Sequence, residues 1–308
     1  MATLTVSAQD EKRVKGMGFL SNKGTDNFSG RIITVNGKIT AQQMKSISEA
    51  AEKFGNGVVT FTTRLTVEVQ GVPYEKIEEF KAYIESAGLA VGGTGPKVRP
   101  VVSCKGTTCQ YGLIDTFALS EEVHHRFYEG YSGVKLHHKF KIAVGGCPNN
   151  CVKPDLNDLG IIGQMIPEYV EESCRGCKKC SVEDVCPTNA AKVGEQGVLE
   201  IDEENCINCG RCVGSCPFGA FETGKQGYKV YIGGRWGKKV SRGQELRKIF
   251  FDKEEAMSVI EKTILLYKEQ GKPGERFSET IERLGFEKVE SQLLSDEILE
   301  RKQEILEA

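Results

Sequence analysis

Twelve cysteines constrain this 308-residue chain more than any other feature of its sequence. All of them lie between residues 104 and 216, and they fall into three groups of four. Four thiolates are the ligand set of a [4Fe-4S] cluster, whereas disulfide frameworks are typical of small secreted domains. The sequence therefore predicts three [4Fe-4S] clusters and leaves no thiol over.

Eight of the cysteines form two runs of the same design. Each run has three cysteines spaced by two residues and a later cysteine followed by proline: Cys174, Cys177, Cys180 and Cys186, then Cys206, Cys209, Cys212 and Cys216. In this pattern the proline-flanked cysteine binds the cluster of the other run. The predicted ligand sets are therefore Cys174, Cys177, Cys180 and Cys216 for one cluster, and Cys206, Cys209, Cys212 and Cys186 for its neighbour.

A structural zinc site is the alternative for this segment, because paired Cys-x-x-Cys motifs also bind zinc. Two longer runs, each with its own Cys-Pro, favour iron–sulfur clusters instead. The segment resembles the bacterial two-cluster ferredoxins, with one departure: five residues separate Cys180 from Cys186 where the common pattern has three. We expect the longer loop to be tolerated, because the entropy of loop closure grows slowly with length.

The remaining four cysteines are Cys104, Cys109, Cys147 and Cys151. Because they are far apart in sequence, the fold rather than a single loop must bring them together. Gly145 and Gly146 allow the backbone to approach a bulky group closely. These features predict a third cluster in the core of a larger domain. A buried cluster with a purely structural role is the alternative.

The N-terminal part of the chain has the pattern of a compact α+β unit. The expected strands are 31–35, 58–63 and 65–69. One helix is capped by Thr40 and stopped by Gly55, and a second is opened by Pro73 and closed by Gly88. The order strand, helix, strand, strand, helix predicts a ferredoxin-like sandwich.

Outside the segment with eight cysteines, the rest of the chain has the pattern of one interrupted domain. The expected strands are 101–102, 140–144, 159–166 and 228–232, and the expected helices are 108–128, 253–268, 275–284 and 293–306. We predict a ferredoxin-like half-domain at 1–92, a second domain at 93–166 and 226–308, and an inserted ferredoxin domain at 167–225. The glycine-rich linker at 92–96 does not predict a dinucleotide site, because no helix opens behind it.

The overall charge excludes some classes of partner. The 41 basic and 43 acidic side chains give a net charge of −2, so neither a nucleic acid nor an anionic membrane is expected as a partner. The N-terminal stretch 1–13 lacks the apolar core of a signal peptide, and no run of about 18 apolar residues is present. We therefore expect a soluble, cytoplasmic protein in which anions are bound by a local cluster of basic groups.

One pair of lysines is a candidate for such a cluster. On a strand, Lys139 and Lys141 project to the same face, whereas Phe140 projects to the other. Two ammonium groups on one face repel each other, so burying them together requires an anion nearby. The alternative is a solvated strand face, and the segment alone does not decide between the two.

Together these features resemble the siroheme sulfite and nitrite reductases, in particular the C subunits of anaerobic sulfite reductases. The matching elements cover nearly the whole chain: the Arg31 strand, the segment 62–66, Arg99 before Cys104, Lys139-Phe140-Lys141, both cysteine pairs and the inserted eight-cysteine segment. The wider family usually has five residues within the first cysteine pair, and this chain has four.

The resemblance implies a fold class and roles for individual residues. The fold class is α+β, with a ferredoxin-like half-domain, a siroheme and [4Fe-4S] domain and an inserted bacterial-type ferredoxin domain. Cys151 would bridge the third cluster to the siroheme iron, and the substrate anion would be bound by Arg31, Arg99, Lys139 and Lys141. The positions implied for siroheme binding are Thr63, Arg64, Thr66, Gly145, Gly146, Cys151, Gly233, Gly234 and Arg235.

The implied activity is the six-electron reduction of sulfite to sulfide, with electrons relayed through the ferredoxin clusters. Nitrite reduction to ammonia is one alternative, and a non-catalytic electron-transfer subunit is another. The sequence has no flavin or nicotinamide fingerprint, so NAD(P)H/flavin and iron–sulfur subunits or a ferredoxin are expected as electron donors. Most siroheme reductases contain two related halves and this chain contains one, which predicts a homo-oligomer or pairing with another subunit.

Overall fold

A computed structural model describes residues 6–308. The first five residues, with which the predicted unit 1–92 and the N-terminal stretch 1–13 begin, lie outside the described residues.

The helices are α1 (Ala8–Gly16), α2 (Ala41–Phe54), α3 (Ile77–Ser86), α4 (Thr116–Val123), α5 (Ser181–Val185), α6 (Lys253–Gln270), α7 (Phe277–Leu284), α8 (Phe286–Leu294), α9 (Glu297–Glu300) and α10 (Lys302–Glu307). The strands are β1 (Phe19–Ser21), β2 (Asn27–Ile33), β3 (Val59–Phe61), β4 (Val67–Pro73), β5 (Ala90–Val91), β6 (Val102–Ser103), β7 (Ile142–Gly145), β8 (Leu159–Pro167), β9 (Ala191–Val193), β10 (Leu199–Ile201), β11 (Gly224–Ile232) and β12 (Gln244–Phe250).

The N-terminal unit is an antiparallel sheet with helices packed on it. Its strand order is β1-β2-β4-β3, and β5 pairs with β2. Helix α2 begins where the sequence predicts, because the Thr40 hydroxyl accepts from the Gln43 amide and the Gln43 side chain accepts from Thr40 N–H. Gly30 lets the sheet approach the core closely, since a Cβ there would lie 2.8 Å from the ring of Phe80. The predicted ferredoxin-like α+β class is confirmed.

A second, mixed sheet forms the larger unit. Its order is β12-β11-β8-β7-β6, in which β6, β7 and β8 are parallel and β11 is antiparallel to both of its neighbours. Helix α6 lies against this sheet and is buried over most of its length. Within this core the rings of Phe140, Tyr267 and Phe277 pack against one another, with centroids 5.4–5.9 Å apart.

The segment with eight cysteines is an insertion at the end of one pair of strands. Strands β8 and β11 pair in register from Leu159–Ile232 to Pro167–Gly224, and the chain leaves and returns at that last pair. The insertion contains the β9–β10 hairpin and helix α5, around a small core that includes Phe221. Tyr169 stacks on Phe221 with centroids 4.8 Å apart, which anchors the start of the insertion. The domain boundaries given above stay a prediction.

Several elements differ from the sequence-based expectations. The helix expected at 108–128 is shorter, because Asp115 caps α4 by accepting from Ala118 N–H and the chain from Cys109 to Asp115 forms a loop. A π-helical turn, His124–Glu129, ends it. The unpredicted elements are helices α1, α5 and α8 and strands β1, β5, β9, β10 and β12. The helix expected at 293–306 is divided into α9 and α10. No helix within residues 6–308 is long and apolar enough to cross a membrane.

Candidate functional site

Basic side chains from both sheets converge on one cavity of about 310 Å³, which we call the basic cavity. Its lining residues are Lys15, Leu20, Arg31, Arg64, Thr66, Gly93, Thr94, Gly95, Arg99, Pro100, Lys139 and Lys141. All four residues predicted to bind the substrate anion are therefore brought together, although they come from distant parts of the sequence.

The two lysines reach the cavity through the alternation expected from the sequence. Phe140, between them, is fully buried on the opposite side and its backbone forms a bridge with Val98. The Lys141 amide donates to Asp158 Oδ2 at 2.9 Å, which holds the segment against the start of β8. Neither ammonium group has a hydrogen-bond or ion-pair partner in the part of the chain that the structure describes.

The electrostatics of the basic cavity favour an anion. Burial lowers the pKa of Lys141 to about 8, and the positive charges of Arg64 and Lys139 add to the effect. Burial lowers the pKa of Lys139 as well, followed by repulsion from Arg276 and Arg99. A bound anion would offset this repulsion. The surroundings of the two lysines therefore disfavour the alternative of a solvated strand face.

Two arginines share a backbone carbonyl at the edge of the cavity. Arg31 Nη1 donates to Gly93 O at 3.2 Å, and Arg99 donates to the same oxygen. Arg31 also pairs with Glu68, with Nη2 and Oε1 2.6 Å apart, so its charge is partly compensated. Arg99 Nε is buried without a hydrogen-bond partner in residues 6–308, and burial lowers the Arg99 pKa to about 10. Such an unpaired buried donor is the kind of group that a bound anion satisfies.

Arg64 has a structural task in addition to lining the cavity. Its guanidinium donates to the carbonyls of Pro100 and Ile142 and, at 2.8 Å, to Asn157 Oδ1. These bonds join the turn between β3 and β4 to the second sheet. Among the other predicted siroheme positions in this turn, Thr66 is buried and lines the cavity, whereas Thr63 is exposed and does not. Their predicted part in siroheme binding stays a prediction.

The glycines predicted to line a cofactor pocket are in tight backbone packing. A Cβ at Gly145 would lie 3.0 Å from the Pro154 ring, and one at Gly234 would lie 2.8 Å from Asn157 N. Gly233 has a φ of +83° and faces Ile281. Arg235 pairs with Glu279 at 2.8 Å. These four residues therefore have packing or ion-pair contacts within the protein. None of the four residues lines the basic cavity.

The fold does bring Cys104, Cys109, Cys147 and Cys151 together. Burial raises the pKa of the Cys147 thiol, and the other three cysteines raise it further, because a neighbouring negative charge opposes ionisation. Gly146 N–H donates to Cys104 Sγ at 3.1 Å, and a Cβ at Gly146 would lie 2.9 Å from Gly106 Cα. Amides that donate to sulfur are what a cluster-binding site needs. Cys151 is the exposed member of the four.

The eight remaining cysteines line two cavities in the crossed arrangement. A cavity of about 210 Å³ is lined by Cys174, Cys177, Cys180 and Cys216. A second cavity is lined by Cys186, Cys206, Cys209 and Cys212. In residues 6–308 no three His, Cys, Asp or Glu side chains converge on a point that could hold one metal ion. Each cavity is lined by four cysteines, which is the number of ligands of a [4Fe-4S] cluster.

The second of these cavities adjoins the third quartet. Cys147 and Cys209 both line a further cavity of about 190 Å³. Met165 N–H donates to Asn208 O at 2.8 Å, and the Arg211 guanidinium lies over the Tyr111 ring at 5.4 Å. The insertion is thus fixed with the Cys206 run, rather than the Cys174 run, next to Cys147.

Two protein-family models match this chain. Residues 94–302 match the nitrite and sulphite reductase 4Fe-4S domain, and residues 21–87 match the nitrite/sulfite reductase ferredoxin-like half domain. The chain belongs to the nitrite and sulfite reductase family. The first match covers both the basic cavity's lysines at 139 and 141 and all twelve cysteines.

Its relatives include several sulfite reductases. It is 34% identical to a coenzyme F420-dependent sulfite reductase of Methanocaldococcus jannaschii over 80% of this chain, but the match spans only 39% of that protein. An uncharacterised protein of the same organism is 32% identical, over 87% of this chain and 91% of its own length. The C subunit of the anaerobic sulfite reductase of Salmonella typhimurium is 31% identical over 47% of this chain and 45% of its own length. The similarity to that C subunit therefore covers a smaller part of this chain than the sequence analysis suggested.

Two solved structures share the fold. The crystal structure of dissimilatory sulfite reductase I (DsrI) has a TM-score of 0.68 and 22% identity, covering 87% of this chain and 69% of that one. The NirA protein of Mycobacterium tuberculosis has a TM-score of 0.65 and 15% identity, covering 94% of this chain and 48% of that one. At these identities the likeness establishes architecture alone, and it agrees with the α+β assignment.

Sequence reasoning missed several residues at the site. Lys15 lines the basic cavity but lies in a helix with no motif around it. The pair of Asp158 and Arg276, fully and almost fully buried beside the lysines, also gave no signal. Isolated charged residues of this kind become visible only when the fold shows what surrounds them.

Proposed function

We propose that this chain is the catalytic subunit of a sulfite reductase, which reduces sulfite to sulfide with six electrons at a siroheme joined to a [4Fe-4S] cluster. The observation that carries the proposal is the basic cavity, in which Arg31, Arg99, Lys139 and Lys141 surround a space that favours an anion. Sulfite, rather than nitrite, is supported by the names of the relatives. The match covers only 39% of the coenzyme F420-dependent sulfite reductase, so the activity of that relative does not by itself establish the activity of this chain.

The residues present fit the proposed groups. Cys104, Cys109, Cys147 and Cys151 would hold one cluster, with the exposed Cys151 available to bridge to siroheme. The crossed sets of cysteines in the insertion would hold the other two. When bound, the siroheme supplies an iron that accepts sulfite and the clusters supply electrons one at a time.

The protein's own groups would bind the anion and manage protons. Conversion of hydrogensulfite to hydrosulfide takes up six electrons and six protons and releases three water molecules. Lys141, with a pKa of about 8, holds a proton at neutral pH and releases it more readily than an ordinary lysine. Arg99 Nε, buried and unpaired, would donate to the anion and fix its orientation.

An external electron donor and partner subunits are part of the proposal. Electrons would enter through the insertion, since the Cys206 run adjoins Cys147 and leaves the Cys174 run on the far side. The donor would be a ferredoxin or a flavin-containing and iron–sulfur reductase subunit. The single ferredoxin-like half-domain supports association with a second copy or with a related subunit.

The test begins with anaerobically purified protein. We expect a siroheme absorption band, about one siroheme and twelve irons for the three clusters per chain, and turnover of sulfite in preference to nitrite with a chemical reductant. Lys139→Ala is expected to reduce kcat/KM for sulfite by about 100-fold, in the range of an electrostatic group that contacts the reacting anion. Lys238→Ala, an exposed lysine outside the cavity, is the matched control.

Two results would contradict the proposal. A protein with cluster absorbance but neither siroheme nor sulfite turnover would be an electron carrier. Faster turnover of nitrite than of sulfite would assign the site to nitrite reduction.

A further inference from the structure

One cation of the basic cavity lies on a helix. Lys15 lies in the last turn of α1 and lines the cavity together with the three arginines and two lysines already described. Unlike Lys139 and Lys141, which are half-buried, Lys15 is exposed to solvent. It therefore stands where the cavity meets the surface.

The backbone of this lysine is held firmly against the cavity. The Thr94 hydroxyl and Gly18 N–H both donate to the Lys15 carbonyl. Gly18 packs tightly on Gly92, since a Cβ at Gly18 would lie 2.5 Å from Gly92 N. Val14, the preceding residue, is fully buried in the core of the N-terminal unit. These hydrogen bonds and packing contacts of the backbone therefore fix the position of Lys15 at the cavity.

The ammonium group of Lys15 is available to a ligand. It has no hydrogen-bond or ion-pair partner within residues 6–308. The acidic residue four positions earlier, Glu11, accepts from Ser21 Oγ at 2.5 Å instead. The cavity's arginines are more restricted, because Arg31 is paired with Glu68 and Arg64 is bonded to carbonyls. Lys15 is therefore an exposed, unpaired positive charge at the edge of a cavity whose other cations are more buried.

We propose that Lys15 is a substrate-binding residue that captures the oxyanion at the mouth of the basic cavity and passes it to Arg31, Lys139 and Lys141. The proposal rests on the proposed function, because it takes sulfite as the anion. A lysine suits this task, since its long flexible stem lets the ammonium follow a moving ligand. Charges that line a cleft raise both the local concentration of an oppositely charged substrate and its association rate, and salt weakens the effect.

The matched control for Lys15 is Lys12. Both lysines are exposed, both belong to α1 and both substitutions remove one charge, but Lys12 does not line the cavity. The experiment compares Lys15→Gln, Lys15→Arg and Lys12→Gln as anaerobic holoproteins. The binding constant for sulfite is measured by absorption titration of the resting protein, and kcat/KM is measured as a function of ionic strength.

We expect Lys15→Gln to weaken sulfite binding and to lower kcat/KM by about tenfold at low salt, which is the lower end of electrostatic steering. The dependence of kcat/KM on ionic strength should become flatter, because one attracting charge is lost. Lys15→Arg should restore both properties, and Lys12→Gln should leave them unchanged. Equal effects of Lys15→Gln and Lys12→Gln would overturn the proposal.

A second measurement separates this proposal from the proposed function. The wild-type holoprotein is treated with an amine-acetylating reagent, with and without sulfite, and the labelling of Lys15 relative to Lys12 is read by mass spectrometry. We expect sulfite to lower this ratio, whether or not the protein turns sulfite over. An unchanged ratio would refute capture by Lys15, whereas a lowered ratio without turnover would retain the capture site and refute the reductase activity.

Discussion

Lys141 titrates in a range where an ordinary lysine does not. Burial is the main reason that its pKa is about 8, and the nearby charges of Arg64 and Lys139 contribute. Asp158, which accepts from the Lys141 amide, acts in the opposite direction. The positive charge of Lys141 is therefore present at neutral pH and is lost in mildly alkaline solution.

This predicts a pH dependence of catalysis. A lowered pKa means that Lys141 is protonated below about pH 8 and neutral above it, so kcat/KM for sulfite should fall as pH rises through 8. In Lys141→Arg the charge persists, because a guanidinium keeps its proton in this range, and the fall should move to higher pH. Steady-state rates between about pH 6.5 and 9.5 check this. Superimposable profiles for the two proteins would contradict it.

At the residue scale, the sequence predicted which basic residues lie together better than it predicted their partners. Alternation on a strand placed Lys139 and Lys141 on one face, and the structure puts both in the basic cavity. The compensation of Arg31 by Glu68, and the carbonyl partners of Arg64, could not be read from sequence. Both depend on which strands become neighbours, which residue patterns determine only weakly.

A buried ion pair joins three elements behind the basic cavity. Arg276 Nη2, at the start of α7, lies 3.0 Å from both carboxylate oxygens of Asp158, just before β8. The Lys141 amide, just before β7, donates to the same carboxylate. Asp158 is completely inaccessible to solvent and Arg276 is 5% exposed. The pair therefore fixes the strand that presents the lysines.

Removing one partner of this pair should be costly. Asp158→Asn leaves the Arg276 charge buried without compensation, which typically destabilises a protein by about 3–5 kcal/mol. Glu254→Gln, which breaks a surface pair with Arg126, is the control and should cost less than about 1 kcal/mol. Chemical denaturation followed by circular dichroism measures both. The double variant Asp158→Asn/Arg276→Gln should recover part of the loss. Equal stability of Asp158→Asn and Glu254→Gln would contradict the prediction.

The prediction of individual elements was uneven. Helix α2 has Thr40 and Gly55 at its ends and apolar residues at helical spacing, so its bounds agree with the structure. Strand β12 has charged residues at three of its seven positions, and its pairing with β11 makes it a strand. Helix α4 was predicted too long because a loop around Cys109 interrupts an otherwise helical composition.

The whole molecule contains hydrophobic cores of unequal size. The two sheets with their helices each have a large core, whereas the insertion has a core of five buried residues against which several cysteines pack. A core of that size supplies little stability by itself. The stability of the insertion should therefore come largely from the clusters that its cysteines bind.

Removing iron should then unfold one part of the molecule before the rest. After anaerobic treatment with a chelator and an oxidant, we expect segment 174–216 to lose amide protection, because the binding energy of the clusters that stabilises it is lost. Helices α2 and α6, in the two large cores, should keep their protection. Hydrogen–deuterium exchange read by mass spectrometry compares these regions in one sample. Unchanged exchange across segment 174–216 would show that its polypeptide folds without clusters.

The pairing of Pro167 with Gly224 has a consequence for how such enzymes diversify. The chain departs from one strand and rejoins its immediate neighbour, so a short turn could replace everything between them without disturbing the ladder. An ancestor could acquire or discard the eight-cysteine insertion through a change within one hairpin. The basic cavity would meanwhile keep its shape, because all of its lining residues lie outside the insertion.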